Sequence, residues 1–393
     1  MKQDFRARQV LGEGGNMKIP FYARYRLGEE KEAVVSCLDK GLDTDGEFSK
    51  RAMEQLRKEY PDSFGMLTSS CSVALETALI LCGLEHGDEV IVPSYNFPSA
   101  ANGVLRAGGT PVFCDIDPKT QNISVSDMAL KINGRTKAVV LVHYAGVACS
   151  MEPLLAVAKE AGLKVIEDGA QGIGAFYHGV PLGAMGDFGC VSFHYTKNIS
   201  CGEGGLLLCR SEEDYKRGRC YRVHGTNRDA FFQGECDRYT WVCPGSSTAM
   251  SELCAALLSS QLSCLEEITR IRKERLEDYL AAFWKVEREG YAKRMGIPEY
   301  ASPNGHIFYL RFANGILRQR IQALLLEKGV DVKTHYVPLH LSPVGRKLGY
   351  GAGDCPESEA CGETLLRFPI HTKLTVDQVW EIAKIVEKGC AVS

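Results

Sequence analysis

The sequence predicts an α/β protein built on a mostly parallel sheet, with a second and smaller α/β unit toward the C-terminus. Three observations carry that expectation. Short apolar runs at 89–92, 111–115, 138–143 and 163–166 alternate with segments of helical period at 73–84, 98–107 and 151–162. Strands buried on both faces read as continuous apolar runs, and the helices between them supply the crossovers that parallel pairing requires. The alternation resumes beyond a Leu-, Ala- and Glu-rich helical stretch at 250–289, with apolar runs at 307–312 and 330–333 and helices at 316–328 and 375–388. Finally, 393 residues are more than one core usually encloses, and the pattern divides them into a large domain, 17–265, and a smaller one, 266–393.

Taken in order, residues 1–16 are polar and Gly-containing without a period and are expected to stand outside the fold. Glu13-Gly14-Gly15-Asn16 fits a purine-rich stretch of the ribosome-binding kind, so Met17 is expected to be the natural start. Segments 29–40 and 47–59 read as helices, the second ending before Pro61. Thr68-Ser69-Ser70-Cys71-Ser72 leads into an apolar helix. Small hydroxyl residues there cap the helix, and the same geometry suits a phosphate, because free backbone N–H groups and the helix dipole converge at that end. Phe97 follows the strand ending near Val92, where an aromatic ring serves either the core or a ligand.

Composition narrows the function. A net charge of −3 without a long basic run argues against nucleic acid as a partner, so an anionic substrate would need a local basic pocket. No apolar stretch reaches the length of a membrane span, and the start MKQDFRARQ lacks the apolar core of a signal peptide, so a cytoplasmic protein is expected. The sixteen cysteines include no C-x-x-C pair, so no metal site is expected; they read as small core residues of a reducing compartment. Cys201, beside a Gly-rich turn, is the cysteine to test for reactivity, and the favoured expectation for it too is an inert core filler.

The stretch 165–208 carries the chemistry. An apolar run ends in Glu167 and Asp168, which is how a buried strand delivers a carboxylate to a sheet edge, and Gln171 follows. A second apolar run, 188–193, carries Ser192 near its end. Lys197 then lies in a turn closed by Gly202, Gly204 and Gly205. Carboxylate, hydroxyl and lysine are what a pyridoxal phosphate enzyme requires: a lysine holds the cofactor aldehyde, and an acid keeps the ring nitrogen protonated.

In that order the motifs Glu167-Asp168-Gly169-Ala170-Gln171, Gly186-Asp187, Ser192 to Lys197 and Gly202-Glu203-Gly204-Gly205 closely resemble the DegT/StrS-type sugar-nucleotide aminotransferases. The resemblance extends from Met17 to the end of the chain and implies fold type I of the pyridoxal phosphate-dependent transferases. Such a fold has a large α/β/α domain with a mixed, mostly parallel sheet, a smaller C-terminal α/β domain, and a homodimer with shared sites. It implies that Asp168 pairs with the pyridine nitrogen, Ser192 binds the phosphate, and Lys197 carries pyridoxal 5'-phosphate and shuttles the proton. Cys71 and Ser72 stand in the family's phosphate cup, Phe97 where a ring covers the cofactor, and Gln171 beside the ring hydroxyl. Ser247 and Ala249 replace the asparagine and arginine of the family's G-x-N-x-R motif. Asn227 and Arg228 are alternative phosphate or diphosphate contacts, or else part of an exposed polar loop. His335-Tyr336 and His371 resemble family segments near the sugar site, where prolines also fix turns; His335 and Tyr336 are the substrate candidates. The implied substrates are a nucleotide sugar and an amino acid.

Overall fold

The computed structural model describes residues 19–391, so the expectations for residues 1–16 and for Met17 fall outside the described residues. In chain order the strands are β1 Phe64–Thr68, β2 Glu89–Pro93, β3 Thr110–Cys114, β4 Thr136–Val142, β5 Lys164–Gly169, β6 Phe176–Tyr177, β7 Val180–Pro181, β8 Phe188–Ser192, β9 Gly205–Cys209, β10 Ala292–Arg294, β11 Ala301–Ser302, β12 Phe308–Phe312 and β13 Leu365–Phe368. Seven of them form one sheet in the order β1-β9-β8-β5-β4-β2-β3. β8, β5, β4, β2 and β3 pair in parallel, while β9 runs antiparallel to both β1 and β8. The sheet is therefore mixed and mostly parallel.

Alternation along each strand assigns its residues to two layers. Met66, Val90, Val92, Ala138, Val140 and Ile166 pack under helices Cys71–Leu81 and Ser99–Arg106. Leu67, Val191, Leu206 and Leu208 face helices Glu47–Glu59 and Glu252–Leu262, and Ile91, Val139, Leu141 and Val165 face helix Met151–Glu160. Each such Val, Leu, Ile or Met side chain, fully buried, contributes roughly 1.5–3 kcal/mol relative to exposure. The sheet is covered on both faces, as its continuous apolar strands require.

A second sheet, β10-β12-β13, is antiparallel throughout, with β12 in the middle. Its core is aromatic: the Tyr279 and Phe308 rings stack at 4.4 Å and 5°, with Phe283 and Phe368 beside them. Helix Leu265–Ala282 starts in the core of the large sheet, through Leu265 and Ile268, and ends in this one, through Leu276 and Tyr279. Asp115, just beyond β3, receives the N–H groups of Glu357 and Ser358 at 2.8 Å each, capping helix Pro356–Thr364 and tying it to the large sheet.

Three elements depart from the sequence-based expectation. The strand expected at 330–333 is reduced to the isolated bridges Ile19↔Val330 and Lys333↔Arg367, because its two ends pair with different segments. The segment around Leu366, expected as a turn, holds strand β13 before Pro369 ends it. The Gly-rich turn continues directly into β9.

Candidate active site

The site lies where the parallel strands end, and the pleat of β5 decides which acid reaches it. Consecutive residues of a strand point to opposite faces. Glu167 turns inward, fully buried, and accepts from Gly183 N at 2.9 Å, Met185 N at 2.6 Å and Gly186 N at 2.5 Å. It also accepts from His143 Nε2 at 2.8 Å, while His143 Nδ1 accepts from Cys149 N at 3.1 Å, so the ring proton lies on Nε2. Glu167 thus organises the 183–186 loop. Asp168 faces a cavity of about 350 Å³ instead, with Oδ1 accepting from Ala170 N at 3.0 Å. Burial raises its pKa, opposed by that N–H and by Lys197.

Lys197 comes from the connection between the antiparallel strands β8 and β9. Phe193 N donates to Gly204 O at 2.9 Å and Cys201 N to Phe193 O at 3.0 Å, which closes the loop on itself. Lys197 N donates to His194 O at 2.9 Å, and the side chain enters the same cavity as Asp168. Burial lowers the pKa of its amine, because desolvation penalises the ammonium; Cys71 and Asp168 oppose the shift.

An anion cradle forms the third wall. Ser70 caps helix Cys71–Leu81, its Oγ accepting from Val73 N at 3.2 Å, and Ser72 Oγ meets Ser99 Oγ at 2.7 Å, so the first turns of two helices meet at one edge of the cavity. Unpaired N–H groups there favour negative charge. Gly205, the first residue of β9, makes the close approach possible: a Cβ on it would lie 2.4 Å from Ser70 C and 2.5 Å from Cys71 N.

Cys71, Ser72, Phe97, Asp168, Gln171, Ser192, Lys197 and His335 all line this one cavity. Gln171 Oε1 accepts from Ala145 N at 2.6 Å, which helps hold Ala145 in the left-handed region at φ 61°, strain of the kind that gathers at functional sites. Phe97 is 59% exposed at the mouth. Tyr336 stands behind His335, the two rings stacked at 3.8 Å. Asn227 and Arg228 are not among the lining residues. Asn227 Nδ2 donates to Arg238 O at 2.8 Å, the Arg228 guanidinium lies 5.5 Å from the Phe232 ring centroid, and Ser247 bridges Val223. His371 bonds Pro20 O at 3.1 Å. Cys201 is buried, and its thiol is held up by the hydrogen bond to Cys254 and by burial.

Sequence reasoning passed over Arg272, Arg367 and Ser99, which also line the cavity, as does the helix-capping Ser70. Arg367 did leave a signal: a cation inside the apolar run Leu365 to Ile370 is out of place unless it faces a ligand. Among the described residues no cluster of acids, histidines and cysteines is arranged to hold a metal. No helix of the described residues is long and apolar enough to cross a membrane.

Lysine, facing carboxylate and helix-terminus cradle in one cavity fit pyridoxal phosphate in charge and in order: anion at the helix starts, amine and acid beyond them. The glycine that a Cβ would fill leaves the cradle open. Comparison with known proteins agrees. The model of the DegT/DnrJ/EryC1/StrS aminotransferase family matches residues 26–387. The spore coat polysaccharide biosynthesis protein SpsC of Bacillus subtilis is 32% identical, over 92% of this chain and 95% of its own. GDP-perosamine synthase of Caulobacter vibrioides is 30% identical, over 88% and 92%. Among solved structures, Spr1654 of Streptococcus pneumoniae in its PMP-form superposes with a TM-score of 0.88 at 26% identity, covering 95% of this chain and 99% of that one, and its PLP-form with 0.86. The chain belongs to the DegT/DnrJ/EryC1/StrS aminotransferase family.

Proposed function

We propose that this protein transfers the amino group of L-glutamate to the keto carbon of a nucleotide-linked 4-keto-6-deoxy sugar, with pyridoxal 5'-phosphate as cofactor. The preferred acceptor is dTDP-4-dehydro-6-deoxyglucose, giving dTDP-4-amino-4,6-dideoxygalactose. One observation carries the reading: Lys197 and Asp168 meet in a single cavity beside a helix-terminus anion cradle. When bound, pyridoxal phosphate supplies an electrophilic carbon and an electron-accepting ring. Asp168 holds the ring-nitrogen proton, since a buried carboxylate without a full cation beside it is raised in pKa and gains from one. The N–H groups at Cys71 and Ser72 bind the phosphate, with the hydroxyls of Ser72, Ser99 and Ser192 beside them. Phe97 covers a ring face, and Gln171 orients the ring edge. Lys197 Nζ would hold the cofactor's aldehyde carbon and, as a base, would take up and return the proton at the substrate carbon; its lowered pKa keeps more of it as the free base near neutrality.

The choice of acceptor rests on the phrases VHYAGVAC, FHYTKN, HGTNR, YTW and PLH, which resemble the bacterial dTDP-4-amino-4,6-dideoxygalactose transaminase. A GDP-linked keto sugar is the second reading, favoured by the GDP-perosamine synthase relative. In the test, one portion of purified parent and of Lys197→Ala protein is reduced with borohydride, and a separate unreduced portion of each is offered glutamate and a panel of dTDP-, UDP- and GDP-linked keto sugars. The parent is expected to retain a borohydride-fixed chromophore and to aminate the dTDP sugar best, while the variant does neither. Equal fixation in both proteins, or amination of none of the sugars, overturns the reading.

The reading extends to a homodimer with shared sites. The excursion 224–245 exposes Phe232 at 74%, Trp241 at 71% and Tyr239 at 52%, a larger apolar display than a free surface usually carries, and it holds the two candidates that do not reach this chain's own cavity, Asn227 and Arg228. Sedimentation should give twice the 43.2 kDa chain mass. A monomer at micromolar concentration would reject the dimer.

A further inference from the structure

The excursion 224–245 leaves the end of helix Glu212–Arg222 and returns beside it, and backbone hydrogen bonds pin its neck. Gly225 O accepts from Val242 N at 2.9 Å and from Cys243 N at 3.1 Å, Gly225 N donates to Cys220 O at 3.0 Å, and Ser246 N donates to Tyr221 O at 2.8 Å. Gly225, at φ 70°, permits that approach, since a Cβ on it would stand 1.8 Å from Cys243 O. The consequence is chemical. The last turn of the helix carries Cys220, the returning segment carries Cys243, and the same contacts bring their sulfurs to 3.3 Å. A disulfide's S–S bond is about 2.0 Å, so bonding needs a further approach of little more than an ångström.

Placement sets this pair apart. Ten of the sixteen cysteines are buried, out of reach of a dissolved oxidant, whereas Cys220 and Cys243 are each partly exposed. Neither is among the residues that line the cavity, so transamination does not account for them. Cys236, the third cysteine of this region, is engaged elsewhere, its Sγ accepting from Asn227 Nδ2 at 3.1 Å.

We propose that Cys220 and Cys243 form a redox-active dithiol, oxidised to an intramolecular disulfide by a low-molecular-weight disulfide such as oxidised glutathione and restored by thiols. The Cys243 thiolate attacks one sulfur of the oxidant, whose S–S bond breaks and whose other half leaves as a thiolate. Cys220 then gives up its proton and attacks the Cys243 sulfur of the mixed disulfide, releasing the second half. Two protein thiols lose two electrons and two protons, and the oxidant becomes two thiols. The order of attack follows from the environment: burial and the hydrogen bond to Cys243 push the Cys220 thiol up to about 12, so Cys220 keeps its proton in the first step. The new bond spans the neck and turns the excursion into a closed loop, which limits its opening. It would act on the segment assigned above to the subunit contact, but the dithiol rests on contacts within one chain and stands whether or not that assignment does.

The test reads linkage and involves no activity. Full-length protein loaded with pyridoxal phosphate is reduced, freed of reductant and incubated in a glutathione redox buffer; remaining thiols are blocked with iodoacetamide, and linked peptides are mapped by tandem mass spectrometry. A Cys220–Cys243 cross-link that dithiothreitol reverses is expected in the parent. In Cys220→Ser, the expected product is a glutathione adduct that persists on Cys243, because the resolving thiol is gone. Absence of the cross-link in the parent overturns the proposal, whether the thiols stay free or end as separate glutathione adducts, and so does a link from either one to Cys236. Trypsin reads the structural effect. Arg228 and Arg238 lie between the two cysteines, so oxidised parent should be nicked there about 10-fold more slowly than reduced parent. Its nicked chains should stay joined on denaturing gels until reduced. Cys220→Ser and Cys243→Ser, checked for folding by thermal unfolding, should be nicked at the reduced rate in either buffer. Equal nicking of oxidised and reduced parent overturns the latch.

Discussion

Lys197 must remain a nucleophile in a site that also attracts anions, and its environment settles that conflict by desolvation. Burial penalises the ammonium and lowers the amine's pKa below the ordinary lysine value of 10.5, although Cys71 and Asp168 pull the other way. The sign follows directly. With a depressed pKa, more amine is uncharged at a given pH, and only that form attacks an aldehyde. The rate at which cofactor-free protein takes up pyridoxal phosphate covalently should therefore rise with pH and level off below 10.5. Stopped-flow absorbance against pH measures this, and a midpoint at the ordinary lysine value would contradict it. Asp168 is displaced in the opposite sense for the same reason, so each awaits a charged partner: the acid a pyridinium, the amine its carbonyl.

Among the elements, those that hold the site were legible where a local rule applies. The apolar runs that became β5 and β8 announced themselves, and Asp168 and Ser192 came with them because strand ends face the ligand edge of a parallel sheet. β9 was read only as the far side of a Gly-rich turn, since five residues beginning with glycine carry little signal before their partners are known. Those partners are Thr68 on β1 and Ser192 on β8, which flank Gly205 on either side. Gly205→Ala should test this junction. Its Cβ would meet backbone, not a movable side chain, so the expected cost is about 1–3 kcal/mol of stability, together with weakened cofactor retention. Thermal unfolding with and without pyridoxal phosphate measures both, and an unperturbed variant would argue against a tight cradle. Arg272 and Arg367 escaped the sequence reading for a different reason. Helix and strand periodicity tell which residues are buried, and only the assembled fold tells which buried cations face a cavity.

For the whole molecule, the division expected at 265/266 falls at the start of helix Leu265–Ala282, whose two ends serve two different cores, so the helix acts as a shared beam. Cavity residues come from nearly the full length of the chain, from Phe21 to Ile370. The family pattern made 165–208 readable as a unit, whereas the wall with Arg272, His306, His335 and Arg367 draws on residues far apart in sequence. The order of strands in the large sheet has a further consequence. β8 and β9 pair as near neighbours in the chain, whereas the anion cradle follows β1 and meets the loop of Lys197 only once β1 has closed the sheet's most distant pairing, with β9. Coenzyme capture is then a late event that follows assembly and cannot nucleate it. Refolding from denaturant should run at one rate whether or not pyridoxal phosphate is present, with the chromophore appearing only after the native far-ultraviolet signal has returned.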